Sequence, residues 1–303
     1  MRKVIGIGET ILDIIFKNNQ PWAAVPGGSV FNSIISLSRM GIKVDFVSEV
    51  GKDHVGEMIQ HYMIDNDVSP QYLDVYAEIK SPISLAFLND NNDAQYSFYK
   101  QYPECRLMVE LPEVEENDVV LLGSFYAVDP SLRHKVVELL QKAKDNKAIV
   151  MYDLNYRFPH KNDVMKVAPH ILENIEYADI VRGSEEDFMC LYELNDVEKI
   201  YKDKISFYCK NFVYTAGAKD VRLLTGNFSK AYAVPLLDPV STVGAGDNFN
   251  AGIVYGLMKL DIKHDDLPSL SEDQWNQLIE YGMKFSAEVC LSTDNSVPKN
   301  FQI

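Results

Sequence analysis

The run Val243-Gly244-Ala245-Gly246-Asp247-Asn248 combines residue types that suit chemistry on an anion. Gly244 and Gly246 permit backbone conformations and close approaches that a Cβ would obstruct. A helix that starts here leaves N–H groups aimed outward with partial positive charge, so the backbone of Gly244, Ala245 and Gly246 is a cradle for phosphate. Asp247 falls in the first turn of that helix, either as a base beside the anion or as an acid that merely complements the helix dipole. A second pattern is Gly27-Gly28-Ser29-Val30-Phe31-Asn32. Its glycines let a ligand approach the backbone, and the Asn32 amide offers a donor and an acceptor, although an Asn at a helix start also serves as a cap. Asp13, shortly after Val4-Ile5-Gly6-Ile7-Gly8, is either a solvated loop acid or a carboxylate for two neighbouring hydroxyls. The Gly6-x-Gly8 pair invites a dinucleotide reading, but Glu9, Thr10 and Ile11 stand where the third glycine and helix start would come.

Regular elements must hold these groups. Phe249, Ile253, Leu257 and Leu260 recur at helical spacing, which predicts a helix over Asp247 to Leu260 with one buried face. Val30, Ile34, Leu37 and Met40 form a second helical stripe that ends at Gly41. Val4 to Ile7, Val119 to Gly123, Ala148 to Asp153, Ala178 to Val181 and Phe212 to Thr215 are short apolar runs typical of buried central strands. Their alternation with helical segments predicts a mainly parallel sheet with helices on both faces. Ligands of such sheets bind beyond the carboxyl ends of strands, where Asp153, Asn155 and Arg157 fall. Ile83 to Leu88 and Gln95 to Tyr99 flank the turn-rich Asn89 to Asp93 and read as a β-hairpin. A last amphipathic helix over Trp275 to Cys290 leads to Asn295.

No linker or low-complexity run divides the 303 residues, so one domain over 1–303 with insertions is expected. A net charge of −15 disfavours a nucleic-acid surface, which needs basic patches. There is no apolar stretch of membrane-spanning length, and Met1 to Gly8 runs into a strand pattern instead of a signal peptide, so a cytoplasmic location is expected. Cys105, Cys190, Cys209 and Cys290 are scattered and read as reduced thiols, and the histidines form no ligand cluster.

Ser241-Thr242-Val243-Gly244-Ala245-Gly246-Asp247 resembles the D-T-x-G-A-G-D signature of the PfkB (ribokinase-like) carbohydrate kinases, with Ser241 in place of the leading Asp. Gly27-Gly28-x-x-x-Asn32 resembles the N-terminal signature of the same family. The resemblance implies ATP-dependent phosphorylation of a sugar hydroxyl, with Asp247 as base and the amides of Gly244, Ala245 and Gly246 as an anion hole. Asp13, Gly27, Gly28 and Asn32 would hold the sugar. Asp153-x-Asn155-x-Arg157 is similar to the family's D-x-N-x-R, so Asn155 and Arg157 would meet the nucleotide. Tyr214 to Asp220 resembles T-x-G-x-x-G with Asp220 in place of the last glycine, which implies ATP contacts at Thr215 and Gly217. By position Asn295 would approach the adenine. Ser184-Glu185-Glu186-Asp187 occupies the place of N-x-x-E, so Glu186 or Asp187 would serve magnesium through water. Ser241 gives up the charge that helps hold a monovalent cation, which leaves that cofactor open.

The implied fold is a three-layer α/β/α sandwich with a mainly parallel central sheet and a small β-sheet lid. Segments inserted at about 14–24 and 72–102 would form the lid, through which a homodimer would be built. Tyr96-Ser97-Phe98-Tyr99-Lys100 is similar to the lid strand of bacterial fructokinases and would set Phe98 against the substrate. Fructose, converted to fructose 6-phosphate, is therefore the expected substrate, ahead of ribose, a 2-keto-3-deoxy sugar acid and a nucleoside. The departures at Ser241, Asp220 and Ser184 motivate a rival, a non-catalytic sugar or nucleotide sensor, which the retention of Asp247 opposes. A dinucleotide oxidoreductase is supported only by the βαβ rhythm and Gly6-x-Gly8.

Overall fold

Residues 2–89, 94–156 and 163–303 are described by the computed structural model. The first half runs through β1 (Val4–Ile7), β2 (Ile11–Lys17), β3 (Gln20–Gly27), α1 (Ser29–Arg39), β4 (Val44–Gly51), α2 (His54–Asp65), β5 (Leu73–Tyr76), β6 (Ile83–Leu88), β7 (Ala94–Tyr99) and β8 (Val119–Gly123). The second half adds α3 (Arg133–Asp145), β9 (Ile149–Asp153), α4 (Val164–Tyr177), β10 (Ile180–Ser184), α5 (Glu185–Tyr192), α6 (Val197–Ile200), β11 (Asn211–Thr215), β12 (Asp220–Leu224), β13 (Ser229–Ala233), α7 (Ala245–Lys259) and α8 (Glu272–Cys290). Nine strands join in the order β13-β12-β11-β10-β9-β8-β1-β4-β5 among the described residues, parallel from β5 to β11 and antiparallel at β12 and β13.

The alternation of side chains explains why the central strands are apolar throughout. Val119, Leu121, Ile149 and Met151 enter one core with residues of α1, α7 and α8, such as Ile34, Ile253 and Leu278. Val120, Leu122, Val150 and Tyr152 enter a second core with Val136, Ile171 and Phe188 of α3, α4 and α5. Each strand thus buries both faces, which produces the expected three layers. At about 1.5–3 kcal/mol per fully buried large apolar side chain, these two cores are the main source of stability.

A smaller sheet has the order β3-β2-β6-β7, with antiparallel pairs at β2/β3 and β6/β7 and a parallel pair at β2/β6. Its extent differs from the lid segments expected at 14–24 and 72–102. The first hairpin runs over Ile11–Gly27, because β2 and β3 stay paired from Ile11↔Gly27 to Lys17↔Gln20. Leu73–Tyr76 belongs instead to the large sheet, since the chain crosses over through α2 and returns parallel to β4. The turn at Asp90 to Asp93 lies outside the described residues. No described helix is long and apolar enough to cross a membrane.

Candidate active site

Helix α7 starts on a turn that only glycine accommodates. Gly244 precedes it at φ +78°, and a Cβ there would approach the carbonyl oxygen of Asn295 to 2.8 Å. No side chain caps this helix start, so its outward amides are the electropositive group that the sequence suggests. One of the three expected amides is partly engaged, with Ala245 N–H donating to Thr242 O at 3.3 Å.

Asp247 is buried in the first turn of α7 and serves more than the helix dipole. Its Oδ2 accepts from Asn32 Nδ2 at 2.8 Å, and its carbonyl accepts from Ser33 Oγ at 2.7 Å. Asn32 is therefore no cap. The N-cap of α1 is Gly28, without a side-chain cap bond, and Asn32 instead orients the carboxylate of another helix.

Asp13 lies in β2 of the small sheet, opposite Val25 of β3 and Ser84 of β6. Ser84 Oγ donates to its Oδ1, and Asn295 Nδ2 donates to its Oδ2 at 3.1 Å. Gly27 faces the same carboxylate, and a Cβ there would collide with Asp13 Oδ2 while standing 2.9 Å from Asn295 Nδ2. Burial, followed by the charges of Asp247 and Glu9, pushes the Asp13 carboxyl up to about 6 against the hydrogen bonds that favour its anion.

These groups line one cleft. Asp13, Gly28, Asn32, Gly244 and Asp247 share it with Tyr96, Phe98 and Lys100 from the small sheet and its exit, and with Asn155 beyond β9. Asn155 at φ +34° and Ser124 at φ +58° are both non-glycine residues in the left-handed region, and both face this cleft. Such backbone strain concentrates at sites. Unpartnered atoms concentrate here as well. Eight buried side-chain polar atoms lack a partner among the described residues, and Asn32 Oδ1, Arg182 Nε, Asn250 Oδ1 and Asn295 Oδ1 belong to groups that surround the Asp247 turn. Folded proteins leave few such atoms, so four of them around one turn set it apart from the rest of the core.

Several expected residues sit elsewhere. Asn295, expected near the adenine, is buried beside Asp13 and Gly244, and its backbone oxygen accepts from Asn248 Nδ2 at 2.7 Å. Asp187 has its oxygens engaged: Oδ1 accepts from Tyr156 N at 2.7 Å, and Oδ2 closes a capping box with Ser184 at the start of α5. Glu186 is exposed one residue earlier, and no group of acids, histidines and cysteines with metal-binding geometry occurs among the described residues. Thr215 is buried at the end of β11 and accepts from Arg182, whereas Gly217 lies in the exposed turn before β12 at φ +57°. Arg157 lies outside the described residues.

Glu9 and Arg182 escape a reading of the sequence alone. Glu9 lines the cleft, accepting from Lys100 Nζ at 2.6 Å and from the Tyr102 hydroxyl. In the sequence it only breaks a dinucleotide pattern. Arg182 is an isolated base in an apolar strand, and a charge at such a position is the signal that could have exposed it.

The model of the pfkB family of carbohydrate kinases matches residues 1–299. The chain belongs to this family. Among relatives of this sugar kinase, the "Probable fructokinase-6, chloroplastic" of Arabidopsis thaliana is 25% identical over 269 residues, which is 83% of this chain and 69% of that protein. The structure of fructokinase from Vibrio cholerae O395 with fructose, ADP and calcium ion superimposes with a TM-score of 0.84 at 20% identity, covering 97% of this chain and 94% of that one. Aminoimidazole riboside kinase from Salmonella enterica, complexed with aminoimidazole riboside and an ATP analogue, has a TM-score of 0.83 at 19% identity, covering 99% and 97%. The fold of the kinase is thus ribokinase-like, a large mainly parallel sheet between helices with a small sheet beside it.

Proposed function

We propose that this kinase phosphorylates fructose at its primary 6-hydroxyl to give fructose 6-phosphate. The charge of the cleft carries the reading. Glu9, Asp13 and Asp247 line it as acids, and the base among its lining residues, Lys100, is already paired with Glu9. A neutral polyol supplies hydroxyl donors to these oxygens, whereas a sugar acid would bring a further anion beside three acidic side chains. Similarity to the fructokinases supports the same class.

Asn32 holds one oxygen of Asp247 and thereby aims the carboxylate at the hydroxyl that becomes the nucleophile. Asp13, fixed by Ser84 and Asn295, accepts from sugar hydroxyls and sets which one faces Asp247. An ordinary carboxylate is a weak base for an alcohol, but a loose phosphoryl-transfer transition state demands little early proton removal. ATP would supply the phosphoryl group, and the uncapped start of α7 fits its anionic oxygens. For Mg²⁺ the described residues build no direct cage, and Asp187 is consumed by its cap. We assign a water-mediated contact to Glu186.

One observation favours a second reading. Tyr96 and Phe98 line the cleft with rings 5.7 Å apart and 1° from parallel, a surface on which a nucleoside base could lie. Measuring kcat/KM for fructose, ribose, a 2-keto-3-deoxy sugar acid and a nucleoside separates the readings. Fructose is expected first, and a nucleoside or sugar acid ahead by tenfold, about 1.4 kcal/mol of transition-state binding, would overturn the choice.

A further inference from the structure

Arg182, in β10, brings a buried positive charge to the underside of the catalytic turn. Its guanidinium lies against Gly246: a Cβ built on that glycine would stand 3.0 Å from Nη2, 3.2 Å from Nη1 and 3.4 Å from Cζ. Nη1 donates to Asp153 Oδ1 at 3.0 Å, and Nη2 donates to Thr215 Oγ1 at 2.6 Å. The other oxygen of Asp153 accepts from Asn250 Nδ2 of α7 at 2.8 Å. One network therefore ties the carboxyl ends of β9, β10 and β11 to the helix that carries Asp247. Nε is buried and has no partner among the described residues.

A buried ion pair is a poor way to gain stability, because the desolvation of both charges offsets their attraction. At Arg182 the same arrangement has a functional consequence. A fixed cation in a buried site stabilises developing negative charge without reorganising. We propose that Arg182 is a positioning residue for phosphoryl transfer, holding the Gly244 to Gly246 turn in register with Asp247 and supplying fixed positive charge beneath the anion hole. Its planar fork anchors two partners at once while lying on Gly246, which a lysine cannot reproduce. The inference rests on the kinase activity and not on the choice of fructose, since any accepted sugar serves as the acceptor.

The test uses the full chain with Mg²⁺ and its preferred sugar, comparing wild type with Arg182→Met and Arg182→Lys. Expected is a fall in kcat of about 10² for Met and about tenfold for Lys, with KM for sugar and ATP within roughly threefold. ADP with aluminium fluoride, a mimic of the transferring group, should bind more weakly by similar factors while ADP alone binds as before. A folded Met variant with kcat within threefold of wild type would overturn the inference. So would losses shared equally by kcat and both KM values with no recovery in Lys, the pattern of a merely structural pair. Should Met fail to fold, the Lys variant decides through the aluminium fluoride complex, and unchanged affinity for it counts against the role.

Discussion

A carboxylate buried beside other carboxylates costs stability, and Asp13 carries that cost. Its carboxyl titrates at about 6, raised from 3.8, so the folded state holds a proton that the unfolded state has released between those values. Stability is therefore lost as pH rises through this window, and the full penalty is present above 6, by linkage roughly 3 kcal/mol at most. Asp13→Asn is expected to raise unfolding free energy at pH 8 by roughly 1–3 kcal/mol, because the Asn295 amide can turn to offer its unpartnered Oδ1 to the new donor. The same variant should lose on the order of 10² in kcat/KM, and wild-type kcat/KM should decline below pH 6 as Asp13 takes up a proton. Urea titrations at pH 8 and a kinetic pH profile check both halves; destabilisation at pH 8 would refute the first. At Asp247 the expectation concerns rate alone. Asp247→Asn keeps the partner of Asn32 and should leave sugar and ATP affinity within a few-fold while kcat falls by about 10² or more. Turnover near the parental value would remove Asp247 from the role of base.

At the scale of elements, the approach to α7 departs from the family signature at Ser241. Its side chain is buried, and Oγ accepts from Val243 N at 3.2 Å, so the hydroxyl is spent on shaping the turn. Asp238, the nearest preceding acid, is exposed. A cation held by this loop would lack the carboxylate that the family supplies, and weak potassium activation follows, within about twofold of the rate in a large organic cation at equal ionic strength. A strong potassium requirement would show that another group replaces the missing charge. Elsewhere the elements behave as local chemistry dictates. Asp53 caps α2 by accepting from Gly56 N at 2.9 Å, which makes Gly51-x-Asp53-x-x-Gly56 a structural motif.

Across the whole molecule, the cleft lies beyond the carboxyl ends of β1, β8 and β9, and the opposite edge of the sheet is free to serve stability. There His264 Nε2 lies 3.5 Å from Asp179 Oδ1, just before β10, and Nδ1 lies 3.1 Å from Asp265 Oδ1. Its hydrogen bond with Asp179 raises it from 6.5 to about 9, so this contribution is full below 6.5 and is lost as pH rises through 9. Because the ring is partly exposed, about 1 kcal/mol is expected, and His264→Gln should lower Tm by about 2 °C at pH 6, by nothing at pH 10, and leave kcat unchanged. Thermal scans at both pH values check this, and an equal deficit at pH 10 would exclude the charge as cause. The distance between these two edges also shows where the sequence suffices. The continuous apolar runs of β8 and β9, the stripe of α1 and the glycines at the start of α7 were legible because each follows from neighbours within a few residues, and they determined the layered fold and the uncapped helix start. Pairings over long separations were not. Asn32 meets Asp247 across 215 residues, and Asn295 meets Asp13 across 282. Strand order placed Arg182 beneath Gly246, and the start of α5 brought Asp187 to Tyr156 N. A residue's type and spacing state what it can do, whereas its partner depends on which strands become neighbours, and burying both faces of the sheet decided that only when the whole chain had packed.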